Sequence, residues 1–423
     1  MFKSLAARVL LALVVGLLAG AACHALANDS LTAAAGIIEA VGGLWLNLLR
    51  MTIVPLVFCL LVTGIVSVAD AAATGTLAAR AIILFSVGML IAAIYGTVAS
   101  QGALEIWPVS PEGAAALRAG AGGVDLAKVP VAGLADWLTS LAPANPIQAA
   151  AEGAMLPLVV FGMFFGLAAT RLMPARKAVV LDLFGAVADT MIVIVRWVLW
   201  AAPLGVFALS LGVGLRAGLG AAGAILQYVV IVSVITASIA ILPYLVVALR
   251  RGASLGAFAR AVAPVQVLAF STQSSLACLP AMLERAQDDL KIPPRVTGLV
   301  LPLAVAVFRL TGPVANLSVA YFCAHIYGVH PGLPQMIGAV FIAWTISVGS
   351  VGLPGQVSFM ASLVPICLAL GVPIDLLPIL LAVEVAPDIF RTIGNVTGDV
   401  AAVLVLNEPG DEAEPIDPTS LPA

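Results

Sequence analysis

Residues 51–68, MTIVPLVFCLLVTGIVSV, run for eighteen positions without one charged side chain. A helix that crosses the hydrocarbon core of a bilayer needs about 20 such residues. Apolar runs lie at about 9–26, 43–68 (which includes this one), 80–103, 180–212 and 222–249, with few charges among them: Arg50, Arg80, Asp182, Asp189 and Arg196. This recurrence constrains the fold more than any motif does. Water cannot satisfy backbone amides inside lipid, so each run has to be helical. Composition agrees: 62% of the 423 residues are hydrophobic and 10% are charged. A soluble domain carries about 25% charged residues. The reading is an all-α polytopic membrane protein. A net charge of −3 supplies no basic footprint for nucleic acid.

Basic residues cluster at alternate segment ends: Lys3 and Arg8, Arg80, then Arg171, Arg176 and Lys177, then Arg250 and Arg251. The positive-inside pattern makes those ends cytoplasmic, and with them both termini. The first apolar run ends in ALA, as a signal peptide does, but its flanks favour a first transmembrane helix. Residues 104–131 are rich in Gly, Pro and Ala and are expected to form an external loop. Residues 407–423 are acidic and Pro-rich, and a disordered cytoplasmic tail is expected there. The five cysteines are scattered without a CxxC and read as small core residues. His24, His325 and His330 sit near segment ends and read as interfacial.

Three apolar regions are interrupted. Residues 132–170 are broken by LAPANPIQAAAEG. Further on, STQSSLACLP at 271–280 and SVGSVGLPG at 347–355 put serines, glycines and prolines in the middle of apolar stretches. Non-helical backbone at membrane depth survives only when buried in protein or lining a cavity. Two such interrupted segments in corresponding positions point to a transporter's midplane site. Both segments are therefore read as re-entrant helical hairpins that meet at their tips, with two kinked spanning helices as the plainer alternative.

The stretch EVAPDIFRTIGNVTGD, 384–399, places Glu384, Asp388, Arg391, Asn395 and Asp399 at spacings of 4, 3, 4 and 4. At about 100° per residue all five fall on one narrow helix face. A charge at the bilayer centre costs about 3 kcal/mol even on the lenient insertion scale, so this stripe cannot face lipid. An internal ladder such as Asp388–Arg391 leaves three acids on one base, and the surplus carboxylate then needs a cation or a proton. Arg391 offers a planar fork for a carboxylate. Asp388, one turn earlier, suits an ammonium. Ser274 and Ser275 at the first interruption offer hydroxyls and helix N-terminal amides to a second carboxylate. Asp399 with nearby carbonyls suits a hard cation. The ligand class is a small anion or zwitterion.

Taken together, these segments resemble the dicarboxylate/amino acid:cation symporter family, the glutamate transporter relatives. The resemblance runs in order through MTIVPLVFCLLVTGI, NPIQAAAEGAMLPLVVFGMFFGLA, WAAPLGVFAL, the serine-rich and glycine-rich tips, and RTIGNVTGD, the most specific of them. It implies eight transmembrane helices beside the two re-entrant hairpins. It also implies that Arg391 holds a substrate's side-chain carboxylate and Asp388 its amino group. Thr392 and Asn395 line the site, and Asn395 also takes the α-carboxylate. Ser275 and the 350–355 tip, with Gly352, Pro354 and Gly355, close over it. Asp399 is the implied metal ligand of a coupling-ion set that includes Asn395, Ser347 and Ser350. No cofactor is implied beyond a coupling cation, Na+ or H+. The family further implies a homotrimer in a plasma or inner membrane and an elevator movement. Its static scaffold maps mainly to 1–79 and 132–215, and its mobile elements to 80–103 and 222–406, within one domain over 1–410.

The departures from the family are as informative. Its seventh helix carries an unwound Asn-Met-Asp-Gly-Thr stretch that binds sodium. Aligned without a gap, the same positions here read Phe308, Arg309, Leu310, Thr311 and Gly312. A second register matching Asn316 needs an insertion, and neither supplies the aspartate. The Tyr-x-x-Thr-Thr/Ser motif is also weak, since Tyr95 is followed by Val98 and Ala99, and Gln356 and Val357 follow the second tip where small residues are usual. Pro387, just before Asp388, is unusual too. Arg309, at mid-span, has two open readings: it reaches Asp399 and stands in for sodium, with protons then carried at Glu384 or Asp388, or it pairs with a carboxylate structurally or helps bind an anionic substrate.

Two other classes remain open in the sequence. A passive anion channel would use the glycine-rich hairpin as a pore lining. An intramembrane aspartyl protease would use Asp388 and Asp399, but eleven helical residues separate them by about 16 Å, too far to share one water. No Ser/His pair, Walker loop or metal-ligand cluster points to an enzyme or an ATPase.

Overall fold

The computed structural model describes residues 5–26, 29–120, 139, 141–217, 220–250, 254–349 and 355–407. Every regular element among them is a helix. Eight of these helices, or helix pairs in series, are long and apolar enough to cross a membrane. That set includes Leu255–Thr272, the first arm of the serine-rich interrupted segment.

The first third holds α1 (Leu5–Leu26), α2 (Asp29–Ala73), α3 (Thr76–Ile106) and α4 (Pro111–Gly120). The expected loop at 104–131 is thus partly helical; its residues 121–131 lie outside the described part. Next come α5 (Pro146–Ala151), α6 (Met155–Ala169), α7 (Pro174–Trp200) and α8 (Ala202–Ala217). Asn145 starts α5 by accepting from the amides of Ile147 and Gln148 at 3.0 and 3.2 Å, the N-cap that frees the chain from unsatisfied donors. The single span expected at 180–212 is two helices. Pro203 has no amide to continue the ladder, and α7 closes instead with the Ala201 amide on Val198.

α2 packs along α6, α7 and α8, and α1 packs along α8. Small residues set the α1–α8 distance: a Cβ on Gly20 would lie 2.2 Å from the Leu211 carbonyl oxygen. Close backbone approach of this kind replaces the hydrophobic drive that lipid does not supply.

The remaining helices are α9 (Gly220–Ser238), α10 (Ile241–Leu249), α11 (Leu255–Thr272), α12 (Ser275–Asp288), α13 (Pro294–Val307), α14 (Thr311–Tyr327), α15 (Leu333–Gly349), α16 (Gly355–Ala369), α17 (Leu377–Val383) and α18 (Val385–Leu406). α11 and α12 pack against each other, as do α15 and α16, so both interrupted segments are helical pairs rather than kinked single spans. α18 is the hub, touched by α9 to α14. Its span is 72% buried, whereas that of α7 is 11% buried. The helix with the charged stripe is therefore the most buried of the eight candidate spans.

α3 lies against α14, where a Cβ on Gly96 would sit 2.8 Å from Val314 Cα. The Ser100 and Ser318 hydroxyls meet there at 2.9 Å.

Candidate functional site

Glu384 stands at the N-cap of α18, and the other four stripe residues follow along the helix. Burial deepens along it: Asp388 is partly exposed, Arg391 is 6% and Asn395 5% exposed, and Asp399 is fully buried. Arg391 donates through Nη2 to Glu384 Oε1 at 2.5 Å. Asp388 Oδ1 lies 3.9 Å from Nη1. The internal ladder foreseen from spacing exists, but its tight rung is Glu384 rather than Asp388. The second oxygen of Glu384 accepts from the Tyr228 hydroxyl of α9 at 2.9 Å. Tyr228 is itself buried and sits edge-on to Phe322 of α14 at 5.2 Å. Arg391 Nε is buried without a hydrogen-bond partner among the described residues. The guanidinium is thus neutralised by one oxygen while part of its fork stays free for a second carboxylate.

Below Arg391, α18 meets the break between α13 and α14. The chain unwinds at Phe308–Leu310, which is the gapless register; Asn316 lies inside the unbroken α14. The Thr311 backbone amide donates to Asn395 Oδ1 at 3.0 Å. The Thr311 hydroxyl lies 2.8 Å from both Asn395 Oδ1 and the Arg391 carbonyl. A backbone amide can only donate, so the atom facing it must be the amide oxygen. That fixes the Asn395 side chain and leaves its NH2 group as the end available to a ligand. The contact needs glycine beside it: a Cβ on Gly394 would lie 2.3 Å from Thr311 Cγ2. The oxygen expected to serve a coupling ion is therefore already engaged by the Thr311 amide, while the one Thr311 hydroxyl proton is shared between it and the Arg391 carbonyl.

Asp399 is different. Neither of its oxygens has a hydrogen-bond partner among the described residues. Its surroundings are apolar: a Cβ on the preceding Gly398 would meet Leu310 Cδ2 at 3.2 Å and Phe308 Cε1 at 3.3 Å. The expected Arg309–Asp399 ion pair is not formed within 4.0 Å. Arg309 instead acts at longer range on Asp388, Asp399 and Arg391 together. Ser347 of α15 approaches the same break, its Oγ 3.7 Å from where a Cβ on Gly312 would be, and its hydroxyl donates to the Ala343 carbonyl. Among the described residues no group of three or more His, Cys, Asp or Glu gathers here, so a hard cation would rest on Asp399 and neutral oxygens.

At the first tip, Gln273 takes a left-handed conformation (φ 50°) between α11 and α12. The Ser274 hydroxyl caps α12 by accepting from the Ala277 amide at 3.3 Å, and Ser275 opens the helix. α11 and α12 both pack against α18. Among the described residues neither serine bonds to α18. At the second tip, Ser350, Gly352 and Pro354 lie outside the described residues, and Gly355 begins α16. The Thr392 hydroxyl donates back to the Asp388 carbonyl at 3.0 Å, so it lines the site with a lone pair only.

Sequence reasoning missed Tyr228 and passed over what Thr311 does. A lone tyrosine in an apolar span was the available signal, because a buried phenol needs a polar partner. The sequence did not say which partner.

Comparison with known proteins identifies the family of the chain. The model of the sodium:dicarboxylate symporter family matches residues 5–408. The proton/glutamate-aspartate symporter of Escherichia coli K12 is 29% identical over 413 residues, covering 95% of this chain and 92% of that protein. The proton/sodium-glutamate symport protein of Geobacillus stearothermophilus is 26% identical over 96% of this chain and 94% of its own length. The C4-dicarboxylate transport protein of Azorhizobium caulinodans is 27% identical over 96% and 88%. The chain belongs to the sodium:dicarboxylate symporter family; it is an integral membrane transporter and not an enzyme. The channel and protease readings find no support among these relatives.

Proposed function

We propose, from that membership, that the chain is a secondary active symporter for acidic amino acids or related C4-dicarboxylates, driven by a cation, Na+ or H+. The observation that supports this most is the buried Arg391 with its unpartnered Nε, set one turn from a partly exposed Asp388. Arg391 receives the side-chain carboxylate of the substrate, and Asp388 its ammonium. The NH2 group of Asn395 donates to the α-carboxylate. Thr392 lines the wall; Ser274, Ser275 and the second tip close it. Asp388 tilts the preference toward amino acids, since a plain dicarboxylate has no ammonium to satisfy it. Asp399 and Ser347, with Ser350, serve the coupling cation.

Around this site, 80–103 and 222–406 form the mobile part, and 1–79 and 132–215 the scaffold. The packing of α1 along α8, and of α2 along α6, α7 and α8, supports the division, with α2 also meeting α3, α15 and α16 of the other part. A homotrimer is supported by α7, whose exposed face carries Asp182, Asp189 and Arg196 at seven-residue spacing. Charges at that spacing share a helix face and need protein rather than lipid opposite them. The termini are cytoplasmic and the membrane is a plasma or inner membrane, as the basic clusters suggest. Arg309 supplies a fixed positive charge where the family holds sodium; Arg309→Met is expected to create or strengthen sodium dependence, and unchanged ion dependence would refute that role.

The test is uptake of labelled L-aspartate and succinate into proteoliposomes under an imposed inward sodium or proton gradient. Concentrative uptake under either gradient is expected. Uncoupled flux would mean a channel, and no flux of either solute would reject this substrate class.

A further inference from the structure

Arg50 lies half-way along the 45-residue α2, in the part proposed as scaffold. Its Nη2 donates to Asp375 Oδ1 at 2.8 Å. Asp375 follows α16 and precedes α17, in the part proposed as mobile. The pair thus joins the two parts across 325 positions. By contrast, Glu39–Arg216 and Asp70–Lys177 stay within the scaffold, and Glu384–Arg391 stays at α18.

Three features suit this pair to opening and closing. Arg50 grips through one nitrogen, its Nε being buried and unbonded among the described residues, so the contact is weaker than a two-pronged one. Both side chains are partly exposed, 34% for Arg50 and 22% for Asp375, so water can take over either charge once they part. A fully buried pair would hold too hard, because a charge stripped of its partner inside a protein is costly. Lastly, Tyr327 of α14 lies in the field of both charges, and its hydroxyl is buried without a partner among the described residues. Tyr327 belongs to the same part as Asp375 and offers it a donor when Arg50 is left behind.

Room for movement lies on one side of the pair. A cavity of about 420 Å³ is bounded by Arg50, Asp375 and the earlier α2 residues Gly36, Ala40, Gly43 and Asn47. Glu39 borders it too, held by Arg216. Spacings of 4, 3, 4 and 3 from 36 to 50 put these residues on one face of α2. The first three carry a hydrogen or a methyl as side chain, so little obstructs a surface that slides along them. With both termini cytoplasmic, α1 crosses outward, and this stretch is the outer half of α2. By the same topology α18 starts at the outer side, and Asp375 before it is on the outer rim of the mobile part. That rim stands against the middle of α2, with the open face on its outward side.

We propose that Arg50 and Asp375 form a latch that holds the mobile part at the inner end of its travel, and that the outward stroke begins when this pair opens and Asp375 moves along the face of residues 36–47. This rests on the division into scaffold and mobile part proposed above, and adds the contact that sets one end position.

The experiment measures the distance between two spin labels on the purified full chain in lipid. One label is at Ser67→Cys of α2 and the other at Asp288→Cys at the end of α12. Both positions are exposed, and Cys23→Ser removes the one native cysteine that is not buried. Without ligand, one distance is expected to dominate. Arg50→Gln and Asp375→Asn are each expected to raise the share of a second distance about two- to fivefold, the range for a partly exposed ion pair. Arg50→Asp sets like charges face to face and should raise it further; Arg50→Asp with Asp375→Arg should bring it back. Tyr327→Phe removes the replacement donor and should lower it. A second distance that appears with L-aspartate and sodium, but has the same share in both neutral variants as in wild type, overturns the latch. So does a charge swap no closer to wild type than Arg50→Asp alone. Should one neutral variant fail to fold, the other carries the same reading. A single distance in every variant, with L-aspartate and sodium also present, would reject the moving part itself and the latch with it.

Discussion

Two buried carboxylates on the same helix face have opposite surroundings. Glu384, at the start of α18, has both oxygens engaged, one by Arg391 and one by Tyr228. Asp399, four turns further on, is fully buried with neither oxygen bonded among the described residues. Burying a charge is tolerable only with a partner. Glu384 has its partners inside the protein. Asp399 has no hydrogen-bond partner among the described residues and feels only the longer-range field of Arg309. The stripe thus has a paired upper end and an unpaired lower end. Asn395 lies between them, its oxygen tied to Thr311.

Breaking the upper pair should have the largest effect. Arg391→Ala leaves Glu384 buried with the Tyr228 hydroxyl but no counter-charge, which brings it closer to Asp399. Losing one partner of a buried pair costs about 3–5 kcal/mol. The thermal midpoint should fall sharply and substrate uptake should disappear. Adding Glu384→Gln to Arg391→Ala should restore much of the midpoint but none of the uptake. A double variant no more stable than the single one would mean that Glu384 does not depend on Arg391.

Gly394→Ala comes next. Its new methyl would press on Thr311 Cγ2, and overpacking of this kind costs about 1–3 kcal/mol. Thr311→Ser removes that methyl and should relieve most of the loss, a double-mutant cycle readable from unfolding midpoints. Thr311→Val is milder. It keeps the shape but removes one of the two donors to Asn395, about 1 kcal/mol by the usual net value of a hydrogen bond. With Asn395 less firmly oriented, KM for L-aspartate should rise severalfold while the maximal rate changes less.

Asp399→Asn should be the least destabilising, below about 1 kcal/mol, because no hydrogen bond is broken. Its effect should fall on coupling: uptake should lose its dependence on the driving cation gradient. If Asp399→Asn destabilised as much as Arg391→Ala, the contrast between the two carboxylates would collapse.

Much of this was legible in the chain. Uncharged runs of spanning length can only be helices in lipid, and a 4-3-4-4 spacing puts five polar residues on one face whatever surrounds them. The two interruptions follow from the local chemistry of Ser, Gly and Pro, whereas the break at 308–310 is implied only by the resemblance to the family. Other features were not legible. The division of 180–212 into α7 and α8 turns on Pro203, and a proline inside an apolar run can equally mark a kink. The partial helicity of 104–131 was hidden by its Gly- and Ala-rich composition.

What the sequence determined by itself is therefore the class of molecule, the place of the site and the types of side chain in it. A bilayer forces apolar runs into helices, and helical periodicity is local. What the tertiary structure alone decided is which charge meets which partner. Tyr228 reaches Glu384 across 156 positions, and Thr311 reaches Asn395 across 84. Spacing along α18 favoured Asp388 as the partner of Arg391, and packing gave that place to Glu384. The reason is physical. A hydrogen bond or an ion pair is settled within about 3 Å, and atoms are brought that close by the docking of helices far apart in the chain.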